Sequence, residues 1–579
     1  MAFDSNKIIF RKSPSLSDPT CNYNGFAPGK TILKKGTVCK EGHKPLESDI
    51  LYDRDVAIKM RDGVTLYADI FRPTDESVPV PAILNSTSFG KGKREDKNKN
   101  GGPASLCGPG YEVPGVKCSM TSGLNSFEST DPGFFVPNGY AVVNLDIRGA
   151  YMSEGKNHYF GVQEAQDDYD VIEWLAGQPW CNGRVTMTGN SWLGIDQWFA
   201  GAECPPHLAC LAPWEGWHDM YRDEYMVGGI PNYPGFRFNN VYRDNGEMED
   251  VIQMCLNHPL FDEYWDDKQA KAEKINVPVY ATASWTSPVH TQGTLLAWRK
   301  LGTEKKWLRV HNAQEWGDTY NPVNEADMLK FFDFYMKDKD NGWEETPKVR
   351  LSVLDNAGED IVGRIEADFP LERQQLTELH LDAQTMTIGK DAPAQEAQVT
   401  YCGWDGESKA CFRYTFEEEA EIVGYINVKL FVESMGYNDM DLFVRAAVLD
   451  ADGNPLIHYP VPETKQFCSY NGPVSRQRVS LRAIDPEKST VNEPFHPFNK
   501  EEKLLPGEIV PVEIGLFPTG MRFHKGQILE LQIAGFPFFE LPGGFGKTMK
   551  TGTDNNGSHI IHTGGEYDSK MIVPFIPVE

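Results

Sequence analysis

The segment Thr188-Gly189-Asn190-Ser191-Trp192-Leu193-Gly194 decides the fold. A short run with β character, Arg184–Thr188, leads into it, and Ser191–Ala202 leaves it with a helical pattern. A serine on the turn between a strand and a helix is what a nucleophile elbow requires, because the hydroxyl must stand exposed at the strand's tip. Gly189 and Gly194, at −2 and +3, allow the tight turn and close packing of helix on strand. The helix N-terminus favours negative charge, and the Trp192 N–H is placed to bind a developing oxyanion. Taken alone, the heptapeptide also fits an N-cap serine of an ordinary α/β domain.

Working outward, Val80–Thr87, Ala141–Ile147, Leu208–Trp214, Val277–Ala283 and Lys306–Val310 read as short buried strands. Val162–Ala176 and Met328–Lys337 read as helices. Strands alternating with helices predict a mostly parallel sheet covered on both faces. Asp55–Pro73 carries Asp62-Gly63 between alternating runs, a hairpin signal. Trp217–Ile275 breaks the rhythm. It is aromatic and charged, with helical stretches expected at Asn245–Leu260 and Asp267–Glu273, and it suits a lid inserted over the strand ends. From about Lys348 the chain changes to many short strands separated by turn residues, the pattern of a β-sandwich or jelly roll.

The chain has 579 residues, of which 40% are apolar and 24% charged, a globular mix. With 56 basic against 83 acidic side chains, the net charge is −27, which argues against nucleic acid and anionic membranes as partners. The 11 cysteines include no C-x-x-C pair, so zinc-ribbon and redox motifs are not expected. The opening residues lack the apolar core of a signal peptide, and no apolar run is long enough to span a bilayer. The expectation is a reduced, cytoplasmic protein needing neither metal nor organic cofactor.

Several blocks resemble the cocaine esterase and X-Pro dipeptidyl-peptidase group of α/β-hydrolases. They are the hairpin IKMRDGVTLYADIFRP (58–73), the loop Asp146-Ile147-Arg148-Gly149 with Ser153-Glu154-Gly155, the approach to Ser191 in WLAGQPWCNGRVTMTG (174–189), and GYINVKLFVES, LPGEIVPVEIGLFPTG and HIIHTGGEYDSKMIVPF in the C-terminal half. The resemblance runs in order over residues 50–579. It implies an α/β-hydrolase core (50–216 and 276–345) after an N-terminal extension (1–49), with an inserted helical cap (217–275) and a C-terminal jelly-roll domain (346–579). It also favours a homo-oligomer.

The same resemblance exposes departures. Where the group carries an oxyanion-hole tyrosine, this chain has Phe89, within Ser86-Thr87-Ser88-Phe89-Gly90-Lys91. A phenyl ring donates no hydrogen bond, so Ser86, Thr87, Ser88 or a backbone N–H must replace it. Where the group carries its aspartate, the sequence reads Ser284-Trp285-Thr286-Ser287, and where it carries its histidine, Glu315 stands. His290 lies three residues after the missing aspartate. The expectation is that acid and base have exchanged loops. His290 would be the general base and Glu315 its orienting acid, with Ser191 as nucleophile and Trp192 and Phe89 at the oxyanion side. A triad is defined by geometry and role rather than chain order. His311 and His218 are competing bases, and Asp318 is a competing acid.

Asp146 and Arg148 suggest a structural ion pair, Lys91–Lys99 a solvated loop, and Trp214, Trp217, Tyr221 and Tyr225 either a pocket lining or cap core. The expected activity is hydrolysis of a small-molecule ester or related acyl bond through an acyl-enzyme. Acyl transfer or lactone closure on the same serine, and a non-catalytic ligand-binding homologue, are the alternatives.

Overall fold

The computed structural model describes residues 3, 5–18, 21, 23–92, 107–108, 111–112, 115–232, 241–461, 469–538 and 555–577. Its centre is an 11-stranded sheet. In chain order the strands are β1 (Gly29–Leu33), β2 (Ile50–Lys59), β3 (Thr65–Pro73), β4 (Val80–Thr87), β5 (Ala141–Asp146), β6 (Cys181–Asn190), β7 (Leu208–Trp214), β8 (Val279–Ser284), β9 (Lys306–His311), β10 (Val349–Val353) and β11 (Ile361–Glu366). Across the sheet they lie in the order β11-β10-β9-β8-β7-β6-β4-β5-β3-β2-β1. From β10 through β5 every pairing is parallel, and both edges are antiparallel. The sheet therefore takes in a strand of the N-terminal extension and two strands beyond residue 346.

Strands buried on both faces follow from the helices around them. Ala82 and Leu84 join one core with Ile172 and Leu175 of α1 (Val162–Ala176) and Leu193 and Trp198 of α2 (Trp192–Ala202). Ile83, between them, faces the opposite core with Phe331 and Phe332 of the long helix Pro322–Lys337. That period of two inside an unbroken apolar run is why the sequence reads as continuous hydrophobicity. Parallel strands share a direction, so β6, β7, β8 and β9 deliver Ser191, Glu215, His290 and His311 to one edge of the sheet.

The inserted region departs from the expected helices. Glu247–Glu249 forms a strand paired antiparallel with Phe10–Lys12, and the helix is confined to Val251–Asn257. Asn245 turns with φ 55°, and Asp250 caps the helix by accepting the Gln253 N–H at 3.1 Å. Asp267–Glu273 is not one helix either. Glu263–Asp267 is helical, behind the capping Asp262, and Ala272–Lys274 is a separate single turn. Trp214, Trp217, Tyr221 and Tyr225 are all buried. Tyr221 packs against Phe261, Trp265 and Phe498, which makes it cap core.

Beyond the sheet the described residues form a 13-stranded β-domain. Val428, Leu430 and Val432 alternate into its core beside Val444, Leu531 and Ile533. The molecule thus has an α/β-hydrolase core, an inserted cap and a C-terminal jelly roll. Among the described residues no helix is long and apolar enough to cross a membrane.

Two expectations about charged residues are corrected. Asp146 and Arg148 do not pair with each other. Arg148 grips Asp167 and Asp62. Asp146 accepts the Lys91 N–H at 2.7 Å and lies 3.7 Å from its Nζ. Lys91 is no solvated residue, being only 3% exposed with its ammonium among Asp55, Asp69 and Asp146, while residues 93–99 lie outside those described. Burial works against the ammonium, but the three carboxylates outweigh it and hold its pKa above the ordinary lysine value. A charge placed this way fixes the loop after β4. Lys91→Met should destabilise the fold by about 3–5 kcal/mol by stranding the aspartates, read as a lowered urea midpoint.

Candidate active site

Ser191 is the turn between β6 and α2, with φ 55° and ψ −117°. A non-glycine residue held there stores strain of about 1–3 kcal/mol. Neighbouring loops enforce it. The Ser191 N–H donates to the Glu215 carbonyl at 2.9 Å, and the Asn190 N–H donates to the Glu128 carbonyl at 3.2 Å. Glycine is required at 189, and position 194 leaves little room for a side chain. A Cβ on Gly189 would meet Leu193 Cβ at 2.5 Å, and one on Gly194 would meet the Trp214 carbonyl at 3.1 Å. Trp192 opens α2, so its N–H has no intrahelical acceptor. Its indole donates to Glu164 Oε1 at 2.8 Å and lies against Phe160, which fixes the first turn.

On the other side of the turn, the loop after β4 places Phe89 beside Phe127 and Trp192. The Phe89 N–H, expected at the oxyanion side, donates instead to Thr87 Oγ1 at 3.0 Å, and the Phe89 carbonyl accepts from the Tyr151 hydroxyl. Ser86 donates to the buried Asp168. Of the hydroxyls in that stretch, Ser88 has neither engagement and is buried at the end of β4.

His290 precedes the helix Thr291–Lys300 and is buried. Its Nε2 lies 3.9 Å from Glu315 Oε2, so the two residues expected to exchange loops do meet, beyond hydrogen-bond length. His290 Nδ1 is buried without a hydrogen-bond partner among the described residues. Burial pushes the imidazole down to about 3, leaving it neutral. Glu315, half-buried at the start of Glu315–Thr319, is pushed up by desolvation to about 7, and contacts to Glu215 and Asn190 hold it from going further.

Of the competitors, His218 is occupied otherwise, while both ring nitrogens of His311 are buried without a hydrogen-bond partner among the described residues. His218 Nδ1 is 3.0 Å from Asp223, and its Nε2 is 3.0 Å from Lys300 Nζ. An ammonium only donates, so Nε2 accepts, Nδ1 carries the proton, and neither nitrogen is free. His311 Nε2 sits 2.6 Å from Glu215 Oε1 and 3.7 Å from Asp318. Its ring is pushed down to about 4 by burial. Asp318 accepts from Trp214 and from the Arg309 guanidinium. Burial alone would raise Asp318, but Arg309 outweighs it and holds the carboxyl at about 2. Asp318 is thus an anchor for the loop after β9.

Two site residues escaped the reading of the sequence. Glu128, at φ 66°, accepts from Trp316 Nε1 at 2.8 Å and Asn190 Nδ2 at 3.3 Å. Burial and nearby Glu315 raise its carboxyl well above the usual range. No local signal marks it. Glu215 did carry one, standing directly after a parallel strand. Among the described residues no group of acidic, histidine or cysteine side chains has the geometry of a metal site.

The sequence matches the X-Pro dipeptidyl-peptidase (S15 family) over residues 62–245 and the X-Pro dipeptidyl-peptidase C-terminal non-catalytic domain over residues 341–572. It is 24% identical to a cocaine esterase from Rhodococcus sp. (strain MB1 Bresler), over 90% of this chain and 98% of that protein. A CocE/NonD family hydrolase from Staphylococcus aureus superposes with a TM-score of 0.84 at 34% identity, covering 96% of this chain and 98% of that one. An α-amino acid ester hydrolase shares the fold, with a TM-score of 0.66 at 17% identity over 91% of this chain and 96% of that one.

Strain at a turn is a cost that glycine does not bear. Ser191→Gly should therefore unfold at higher urea than Ser191→Ala, by about 1 kcal/mol, in a parallel denaturation of the two variants. Equal midpoints would mean that the turn is unstrained.

Proposed function

Because the chain belongs to the CocE/NonD family of hydrolases, built on the X-Pro dipeptidyl-peptidase architecture, we propose that it hydrolyses an ester or related acyl bond of a small molecule through an acyl-enzyme on Ser191. The observation that carries this reading is the Ser191 turn itself, at φ 55° between β6 and the N-terminus of α2. A protein that had lost the chemistry would have no reason to keep a strained serine there.

In this reading the Ser191 hydroxyl attacks the acyl carbonyl and gives its proton to His290. The imidazolium then protonates the leaving group, and water repeats the sequence to release the acid. Glu315, once ionised, faces the imidazolium and offsets its burial. The 3.9 Å separation suits a resting site whose contacts tighten when substrate closes it. The Trp192 N–H supplies one oxyanion donor, and Ser88 is the candidate replacement for the donor that Phe89 lacks. Phe89 and Trp316, both half-buried and both against Phe127, offer an apolar wall suited to an apolar acyl or alcohol group.

Fluorophosphonate labelling and turnover of short p-nitrophenyl esters test the reading directly. Wild type should label on Ser191 and turn over. Ser191→Ala should lose both, and His290→Ala should lose about 10²–10⁴-fold in kcat/KM. Labelling that survives Ser191→Ala would place the nucleophile elsewhere, and unchanged turnover in His290→Ala would remove it as base. Since Glu315 must be ionised, kcat/KM should rise with pH through about 7.

A further inference from the structure

Glu128 touches two loops of the proposed machinery at once. Its backbone turns with φ 66°, uncommon for a non-glycine residue, and its side chain is buried. Toward β6, its carbonyl accepts the Asn190 N–H at 3.2 Å, and its Oε1 accepts Asn190 Nδ2 at 3.3 Å. Asn190 directly precedes Ser191. Toward the loop after β9, the same Oε1 accepts the Trp316 indole N–H at 2.8 Å. Trp316 directly follows Glu315. One carboxyl oxygen thus joins the neighbour of the nucleophile to the neighbour of the acid.

The segment around Glu128 lies along the short helix Glu315–Thr319 at further points. A Cβ on Gly115 would stand 3.1 Å from the Gly317 Cα, so the two backbones nearly touch. Phe127 meets the Trp316 ring edge to face, with centroids 5.8 Å apart. The Tyr320 hydroxyl donates to the Ser129 carbonyl at 2.7 Å. Glu128 adds to these contacts the connection to the elbow. It needs no charge to do so. Both donors fall on Oε1, while Oε2 is buried without a hydrogen-bond partner among the described residues. A neutral acceptor would serve as well, and burial beside Glu315 pushes the carboxyl toward its neutral form.

We propose that Glu128 is a positioning residue that ties the loop carrying Glu315 to the Ser191 turn, through one oxygen that accepts from both Trp316 and Asn190. This rests on the hydrolase reading above and adds to it the residue that keeps acid and nucleophile in register. Glu128 takes no part in proton transfer. By holding Trp316 it keeps Glu315 beside His290, where the two now stand 3.9 Å apart. Small displacements matter at such a site, because a misplacement of about 1 Å costs about 10²-fold in rate.

Three variants test this. Glu128→Gln keeps the acceptor, Glu128→Leu removes it, and Trp316→Phe removes the donor while keeping a ring. In turnover of p-nitrophenyl esters, Glu128→Leu and Trp316→Phe should each lose about 10–10²-fold in kcat. Glu128→Gln should restore most of what Glu128→Leu loses. The double variant Glu128→Leu/Trp316→Phe should lose no more than the worse single variant, because both changes break one contact. Losses that multiply in the double variant, or a Glu128→Gln as slow as Glu128→Leu, would overturn the proposal. Trp316→Phe carries the test if the leucine variant fails to fold, and wild-type kcat in it would be equally fatal. Hydrogen exchange of the full chain needs no substrate and so stands apart from the hydrolase reading. Amides of residues 315–320 should exchange faster in Glu128→Leu and Trp316→Phe, and at the wild-type rate in Glu128→Gln. Unchanged exchange in all three would overturn the tie while leaving the Ser191 chemistry to its own test.

Discussion

Ser191 holds a backbone conformation that a free chain would leave, and two hydrogen bonds from distant loops keep it there. Asn190 is fastened to the Glu128 carbonyl and Ser191 to the Glu215 carbonyl. Neither loop is near the turn in sequence, so the elbow exists only once β6 and β7 have paired and the segment before Pro132 has packed across them. The same two residues then turn their carboxyls toward the loop that carries Glu315. One set of contacts therefore shapes the backbone of the proposed nucleophile and the electrostatics of its surroundings.

How much of this was readable in the sequence depended on the range of the interaction. The helix Val162–Ala176 and the strands Val80–Thr87 and Leu208–Trp214 were bounded to the residue, because helical periodicity and unbroken apolar runs are local. The insertion was misread at Asn245–Leu260 because its strand exists only by pairing with Phe10–Lys12, more than 200 residues away. Lys91 looked like one cation among several in a charged loop. Its burial depends on Asp55, Asp69 and Asp146, which three separate strands or their turns contribute. No composition window can register such a cluster.

The chemistry divides along the same line. Ser191, His290 and Glu315 were chosen from their places after particular strands, and the structure brings His290 and Glu315 to 3.9 Å. Glu128 and Glu215 matter through what they touch, and burial of an acid is invisible until its neighbours are known. Phe89 shows the reverse limit. Its place in the loop suggests an oxyanion role, but the Thr87 hydroxyl takes its N–H.

An exchange of acid and base between loops is not symmetrical in energy. His290 caps the N-terminus of the helix Thr291–Lys300, where the helix dipole disfavours a positive ring. Burial adds to that and holds the imidazole at about 3, while the carboxyl opposite is raised to about 7. The proton affinities of base and acid are thus inverted from their usual order. In the proposed mechanism a proton leaving Ser191 meets a reluctant imidazole, which an ionised Glu315 at 3.9 Å makes more receptive. On that proposal the state of Glu315 governs whether the serine can be activated. In the proposed mechanism such a site turns on through its acid.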